Sequence, residues 1–269
     1  MLGCVTTPHG PVSTRLQTVQ GTSMLFLTSH APHHIISHEP LVIDAFHQYA
    51  GPNRIVLDIG ANVGAYSLLS AALGSTVYAV EMQPACCDIF RCHVHLNNRS
   101  AEHVHLLEGF VPRMPSQAPI LVPPDKCNVM ASASATGGRW PNGLLMKSHR
   151  LMNWSATVRI PPVDLQRSLS HVDSVALTKI DTEGSEIECL MALNWTKLQA
   201  VIIEFQAGAW KYNNISRAYG TEVVRGFARH RSYTIHSLFG KTSLVWSTDE
   251  LIRFLMRQTH SFKEFLFVT

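Results

Sequence analysis

A doubly wound α/β sheet with helices on both faces is the fold this sequence predicts, and three observations predict it. A strand, a glycine turn, a helix, a second strand and an acid follow one another within Ile55 to Pro84, the order of a βαβ unit that binds a nucleoside. Short apolar, β-branched runs then alternate with helical patterns as far as Val268, which favours a mostly parallel sheet covered on both faces. Finally, acids stand at or near the ends of five predicted strands: Asp58, Glu81, Glu108, Asp181 and Glu204. In open α/β sheets that edge holds the ligand.

The βαβ unit opens with Ile55-Val56-Leu57, too short for a globular helix and rich in β-branched residues, and so a buried strand. Asp58, Gly60, Asn62 and Gly64 form the turn, Ala65 to Leu73 carries apolar residues on one helical face, and Gly74 is placed to cap it. Thr76 to Val80 is the second strand and ends on Glu81, 21 residues after Gly60, where a carboxylate can accept both ribose hydroxyls. A dinucleotide fingerprint requires G-x-G-x-x-G. Here Asn62 stands in place of the second glycine and the last glycine comes one residue early, which argues against NAD or FAD. The form D-x-G-x-N-x-G, followed by an acid ending the next strand, instead resembles the S-adenosylmethionine (SAM) site of class I methyltransferases.

The flanking elements follow in order. Residues 1–38 lack Asp and Glu and are expected to be a poorly ordered extension, with domain 39–269 after it. Glu39 to Tyr49 is a short helix started by Pro40. Beyond the βαβ unit, Pro84 opens a helix to Leu96, and His103 to Leu107 is a third strand. The H-x-H pairs around it are expected to face the surface. Residues 110–157 form an irregular, Pro-rich insertion, expected to cover the substrate and to hold a hairpin through Ile120–Val122 and Val129–Ser132. Ala156 to Ile160 is a strand, a short helix starts at Val163-Asp164-Leu165, and Val175 to Ile180 is the fourth sheet strand. Then come a helix from Ser185 to Leu193, a buried strand Ala200 to Phe205, a helix Thr221 to His230, a strand Tyr233 to Leu238, a helix from Thr248 as N-cap, and a closing strand Phe265 to Val268.

Composition bounds the function. The chain has 269 residues, 46% of them hydrophobic, enough for a full core in one domain. A net charge of +3 leaves no nucleic-acid footprint, and no apolar run reaches the ~20 residues of a membrane span. The six cysteines are irregularly spaced, without C-x-x-C, and are expected to be reduced packing residues. Four N-x-[ST] sequons occur, at Asn98, Asn153, Asn194 and Asn214, against one or two expected by chance (roughly). No signal-peptide core stands out, so the sequons are expected to be unused and the protein cytoplasmic, with a lumenal location the alternative if a leader is missing. Nothing specifies the oligomeric state.

DIGANVGAYS at Asp58–Ser67, E-x-x-P at Glu81–Pro84 and KIDTEGSEIECL at Lys179–Leu190 together resemble the FkbM-type methyltransferases. Met82 stands where the family usually has a proline, and Val163-Asp164-Leu165 where it usually has L-D-D. The resemblance implies a Rossmann-like class I methyltransferase sheet of seven strands, the last antiparallel. It also implies SAM as donor and a hydroxyl on a sugar, lipid or secondary metabolite as acceptor. On that reading Gly60, Asn62 and Gly64 cradle the methionine portion, Asp58 orients the turn or holds the amino group, and Glu81 binds ribose. Met82 and Glu108 flank adenine, while Asp181, then Glu183, face the acceptor, with Glu204 a second candidate there. No metal is required, although Asp181, Glu183 and Glu204 have oxygens that suit Mg²⁺. The alternatives are a non-catalytic SAM-fold module and a nicotinamide-dependent oxidoreductase.

Overall fold

A computed structural model describes residues 6–7, 10–11, 13–27, 39–98, 103–112, 119–122, 127, 158–239, 242–258 and 263–269. In chain order its strands are β1 (Thr6–Thr7), β2 (Gly10–Pro11), β3 (Thr14–Val19), β4 (Thr22–Leu27), β5 (Ile55–Ile59), β6 (Thr76–Glu81), β7 (Val104–Glu108), β8 (Ile120–Val122), β9 (Val158–Ile160), β10 (Val175–Ile180), β11 (Leu198–Phe205), β12 (Thr234–Ser237), β13 (Val245–Trp246) and β14 (Lys263–Val268). Its helices are α1 (Pro40–Tyr49), α2 (Ala65–Ala72), α3 (Pro84–Leu96), α4 (Leu165–Ser168), α5 (Glu186–Ala192), α6 (Arg217–His230) and α7 (Thr248–Arg257).

The central sheet has eight strands in the order β13-β12-β14-β11-β10-β5-β6-β7. Strands β7, β6, β5, β10 and β11 run parallel, whereas β14 is antiparallel to both neighbours. This is the predicted doubly wound sheet with its antiparallel last strand; the eighth strand is the two-residue β13 at the edge. From β5 the chain winds outward through β6 to β7, then crosses back to β10 and winds the other way. The order therefore reverses between β5 and β10, and the carboxyl ends of those two strands flank the crevice where such sheets bind ligands. Strand β10 is buried at every position, as a central parallel strand covered on both faces must be. One apolar cluster, with Phe205, Trp210, Phe227 and Phe267, fills one face of the sheet. A second, with Phe26, Phe46, Leu69 and Phe90, fills the other.

Several boundaries differ from the sequence reading for local reasons. Helix α6 starts at Arg217 rather than Thr221 because Ser216 caps it, accepting from Tyr219 N. Ser247, not Thr248, caps α7, in a reciprocal capping box with Glu250. Strand β8 pairs with β9, antiparallel, rather than with 129–132, which lie outside the described residues. The resulting β8–β9 hairpin packs Val122 and Ile160 on Phe110 and Met82.

Residues 14–27, within the segment expected to be poorly ordered, form the β3–β4 hairpin, whose Met24 and Phe26 enter the core. Its apolar alternation is short, and the partners that bury it, α2 and α3, lie roughly 40 and 60 residues further on. His93 ties α3 to the hairpin. Its Nε2 accepts from Leu27 N at 3.1 Å, so Nδ1 carries the proton and donates to Val63 O at 2.8 Å. This H-x-H histidine is buried, contrary to expectation.

The expectation of reduced cysteines is corrected. Cys86 of α3 is disulfide-bonded to Cys127, 41 residues on, and Cys92 is disulfide-bonded too. Irregular spacing concealed a pair that only the fold brings together. Among the described residues, Cys87 and Cys189 are free and buried, and no helix is long and apolar enough to cross a membrane.

Candidate active site

The turn after β5 is set by its backbone. Gly60 has φ +86°, and a Cβ there would lie 1.8 Å from the carbonyl oxygen of Asp181. Only glycine fits such a contact. Asp181 N in turn donates to Ile59 O at 2.9 Å, so the turns after β5 and β10 are in direct contact, although 120 residues separate them. Asn62 takes the left-handed conformation, φ 53°, which asparagine tolerates better than most side chains, and its Oδ1 accepts from Val63 N at 2.8 Å.

Glu81 is buried and closes the turn from the next strand. Its Oε2 accepts from Asn62 N and its Oε1 from Gln83 N, each at 2.8 Å. Gln83 Nε2 adds a longer bond to Oε1 at 3.4 Å; a carboxylate has about four acceptor sites, so one remains for a ligand hydroxyl, on the Oε2 side. Burial pushes this carboxyl above its ordinary range, partly offset by the backbone N–H groups of Gln83 and Asn62. Asp58, also buried, accepts from Ser67 Oγ at 2.6 Å and so fixes the start of α2 against β5. Its pKa is raised by burial, and the Lys179 ammonium counters part of that.

Met82, partly buried, sits against Phe110 and the β8–β9 hairpin, a sulfur-containing apolar wall beside Glu81. Glu108 lies opposite Glu81 in the β6–β7 ladder, but its side chain is exposed and pairs with Arg91 of α3. Four of the five strand-end acids thus gather at the crevice and Glu108 stands at its outer rim. The disulfide brings residue 127 to the same place. Cys127 Sγ lies 3.8 Å from Asn62 Oδ1, a packing contact, since a bonded sulfur has no proton to give.

The second half of the site follows β10. Lys179 is 2% exposed and its Nζ sits 2.6 Å from Asp181 Oδ2, whereas the Asp181 side chain remains 29% exposed. The ammonium is sealed in and the carboxylate is open to a ligand. Burial alone would lower the Lys179 pKa, but the surrounding Asp181, Glu264, Glu39 and Asp58 carboxyls hold it well above its ordinary value. Its Nζ also lies 4.8 Å over the Tyr66 ring, a cation–π contact, and the Tyr66 hydroxyl donates to Glu39.

These acids cannot all be ionised at once, because like charges in a small buried volume raise one another's pKa. Burial would raise Asp181, yet Lys179 and a hydrogen bond from Glu204 hold it below the usual carboxylate range. Glu204, half-buried beside that charge, is driven far upward and keeps its proton. Glu264, directly opposite Glu204 in the β11–β14 ladder, is raised by burial and by Glu39. Glu183 is pushed up to about 9 by burial, then by Asp181 and Glu186. Asp181, Glu183 and Glu204 each place one oxygen within 4.8 Å of the others.

The loop bearing Glu183 is strained and pinned. Glu183 has φ 54° and Gly184 φ +114°, and left-handed backbone at a non-glycine residue persists only where its surroundings enforce it. The enforcing group is Glu186, whose Oε1 accepts from Gly184 N at 2.5 Å and whose Oε2 accepts from Trp210 Nε1 at 2.7 Å. Asn213 adds bonds to Gly184 O and Ser185 Oγ, both at 3.0 Å. Glu186, Trp210, Glu39, Tyr66 and Glu264 were not singled out from sequence. Glu186 lay inside the motif; the register of β11 on β14 was needed to find Glu264.

A pH profile follows from these states. Glu183 gains its negative charge only as pH rises through about 9. If its carboxylate assists proton removal, kcat rises from pH 7 toward 9 and Glu183→Gln flattens the rise. A wild-type profile flat over that range would remove Glu183 from proton transfer.

The Methyltransferase FkbM domain model matches residues 58–258, about three quarters of the chain. No curated protein sequence matches. Among solved structures, a proposed SAM-dependent methyltransferase from Streptococcus mutans aligns at 11% identity and TM-score 0.46, over 95% of this chain and 55% of that one. Precorrin-6y C5,15-methyltransferase from Geobacter metallireducens aligns at 12% and TM-score 0.42, over 90% and 93%. SMU.1697c, a proposed methyltransferase from Streptococcus mutans in complex with S-adenosylhomocysteine, aligns at 12% and TM-score 0.43, over 84% and 95%. This chain therefore spans little more than half of the first of these proteins. Such low scores add nothing to the family match, whose span takes in the turn, the Glu81 acid and the β10 loop that form the crevice. The chain belongs to the FkbM family of SAM-dependent methyltransferases.

Proposed function

We propose that the chain methylates a hydroxyl oxygen on a small acceptor, a sugar, lipid or secondary metabolite, with the transferase unit running from Glu39 to the C-terminal strand. The observation that carries this reading is the half-open Asp181 carboxylate, held ionised by a sealed lysine and in backbone contact with the Gly60 turn. Residues 60–64 and Glu81 suit SAM: the turn has no room for a side chain at Gly60, and Glu81 keeps an acceptor site on Oε2 beside the Met82 wall. Bound SAM supplies an electrophilic methyl group on a sulfonium.

The protein's part is to bring an oxygen nucleophile to that carbon. A hydroxyl is a poor nucleophile and a low-pKa carboxylate is a weak base. Asp181 therefore accepts a hydrogen bond from the acceptor hydroxyl, and the proton moves as attack proceeds rather than before it. Such help is worth about 10²–10⁴-fold, whereas orientation can contribute ~7–11 kcal/mol. Positioning carries more of the catalysis than basicity does.

Thermal shift tests the donor. SAM and S-adenosylhomocysteine are each expected to raise Tm, a ligand at 100 times its Kd adding about 2.7 kcal/mol. Stabilisation by NAD alone would overturn the reading. Transfer of labelled methyl from SAM into a panel of glycans, lipids and hydroxylated metabolites identifies the acceptor and separates an enzyme from a binding module.

The Asp181–Glu183–Glu204 trio also has the spacing of a divalent-ion site. Lys179 already supplies a cation to Asp181 and protons neutralise Glu183 and Glu204, so activity is expected to survive EDTA. Loss in EDTA with recovery on adding Mg²⁺ would make the trio a metal centre.

A further inference from the structure

We infer that this chain folds in an oxidising, glycosylating compartment and carries N-linked glycans on Asn98, Asn194 and Asn214. Two independent observations carry the inference. The first is the pairing of Cys86 with Cys127, together with the bonded Cys92. Disulfides persist in oxidising compartments and are rare where thiol reductants circulate. These bonds cross-link a chain long enough to bury a full core, so they do not compensate for a missing one.

The second observation is how the sequon asparagines differ from asparagines beside them. Asn97 and Asn98 are adjacent. Asn97, which heads no sequon, is tied down: its Nδ2 donates to Leu25 O at 2.8 Å and His93 O at 2.7 Å, and its Oδ1 accepts from Leu25 N at 2.8 Å. Asn98, which heads Asn98-Arg99-Ser100, is exposed, with φ 50°. Asn213 and Asn214 repeat the contrast. Asn213 is buried and donates to Gly184 O and Ser185 Oγ. Asn214, heading Asn214-Ile215-Ser216, is exposed, with φ 57°. Asn194, heading Asn194-Trp195-Thr196, is exposed too. Its Oδ1 accepts from Thr196 N at 3.1 Å and Thr196 Oγ1 at 2.7 Å, which turns the sequon hydroxyl onto the asparagine side chain. Among the described residues, none of the three sequon Nδ2 groups makes a hydrogen bond. A glycan on any of them displaces no packing.

Two of the sites also lie away from the crevice. Asn98 follows α3 and precedes β7, and Asn194 follows α5 and precedes β11. Both are therefore at the amino ends of the strands, across the sheet from Gly60 and Asp181. Asn214 follows β11 and lies on the site's side, beyond Asn213.

The chemistry balances with co-reactants that such a compartment supplies. The asparagine Nδ2 bonds to the anomeric carbon of a polyprenyl-diphosphate-linked oligosaccharide. The carbon–oxygen bond to the diphosphate breaks, polyprenyl diphosphate leaves, and one Nδ2 proton passes to a base. Each disulfide forms as two thiols give two electrons and two protons to a disulfide-bearing protein oxidant, which leaves as a dithiol. On this inference the location is the lumenal alternative that the sequence left open rather than the cytoplasmic one.

The test uses the protein purified from its native cells, alkylated without reduction and divided in two. One half is treated with peptide-N-glycosidase F in ¹⁸O water, and both are digested and analysed by mass spectrometry. The expected result is ¹⁸O-labelled aspartate at positions 98, 194 and 214, a mobility shift on deglycosylation, and a peptide pair joined through Cys86 and Cys127. Unmodified asparagine at all three positions would overturn the glycan assignment. Alkylated Cys86 and Cys127 would overturn the compartment.

Discussion

Gly60→Ala is expected to abolish SAM binding and to destabilise the fold. The left-handed backbone alone costs an alanine about 1–3 kcal/mol. The larger effect is steric: a Cβ would stand 1.8 Å from the Asp181 carbonyl oxygen and 2.8 Å from its carbonyl carbon. Both are backbone atoms of a loop fixed by Glu186, Trp210 and Asn213, so no flexible side chain can swing away. Relief requires β5 and β10 to part at their carboxyl ends, which moves the two halves of the site apart. A lowered Tm with no Tm gain on adding S-adenosylhomocysteine is the expected pair of readings. Wild-type affinity for S-adenosylhomocysteine in Gly60→Ala would show that the turn does not hold the donor.

Asp181→Asn is expected to lower kcat by about 10²-fold or more, with S-adenosylhomocysteine affinity close to wild type. Asparagine keeps the shape but not the charge that orients an acceptor hydroxyl and balances Lys179. Removing one partner of a buried pair leaves the other uncompensated, at a cost of about 3–5 kcal/mol. Glu264, Glu39 and Asp58 also hold the Lys179 charge, so the fold is expected to survive, with a reduced Tm. In the variant Glu204 loses the neighbouring charge that helps to raise its pKa, and it is expected to titrate at lower pH. Unchanged kcat in Asp181→Asn would remove this residue from the chemistry.

Local patterns account for what the sequence could reveal. The βαβ unit and the DTEGS loop were legible because each rests on short-range features: glycines, a β-branched run, an acid at a strand end; the antiparallel direction of the last strand came only from the family resemblance. Glu183 was named from the family motif, Asp58, Glu81, Asp181 and Glu204 from such strand-end features, and all lie at the crevice. Glu108 was named on the same basis, but Arg91 of α3 draws its side chain outward, and that contact between separate elements leaves no local pattern. The Cys86–Cys127 bond, the β8–β9 pairing and the docking of Phe26 on α3 were hidden for the same reason. Each joins segments tens of residues apart. Glu39 and Tyr66 were missed because one read as a helix start and the other as an apolar helix face, while together they complete the polar surroundings of Lys179.

The central claim is that Asp58–Glu81 holds the donor and that the Asp181 side chain serves the acceptor. Calorimetric titration with S-adenosylhomocysteine on wild type, Glu81→Ala and Asp181→Asn tests it without knowledge of the acceptor. Glu81→Ala strips Asn62 N and Gln83 N of their partner, which loosens the turn, and removes the carboxylate assigned to the ribose; at about 1.5–3 kcal/mol for a lost hydrogen bond to a charged group, affinity should fall by tenfold or more. Asp181→Asn should stay within about threefold of wild type, well under the 1.4 kcal/mol that a tenfold change represents. Equal loss in both variants, or a loss confined to Asp181→Asn, would contradict the division of the site.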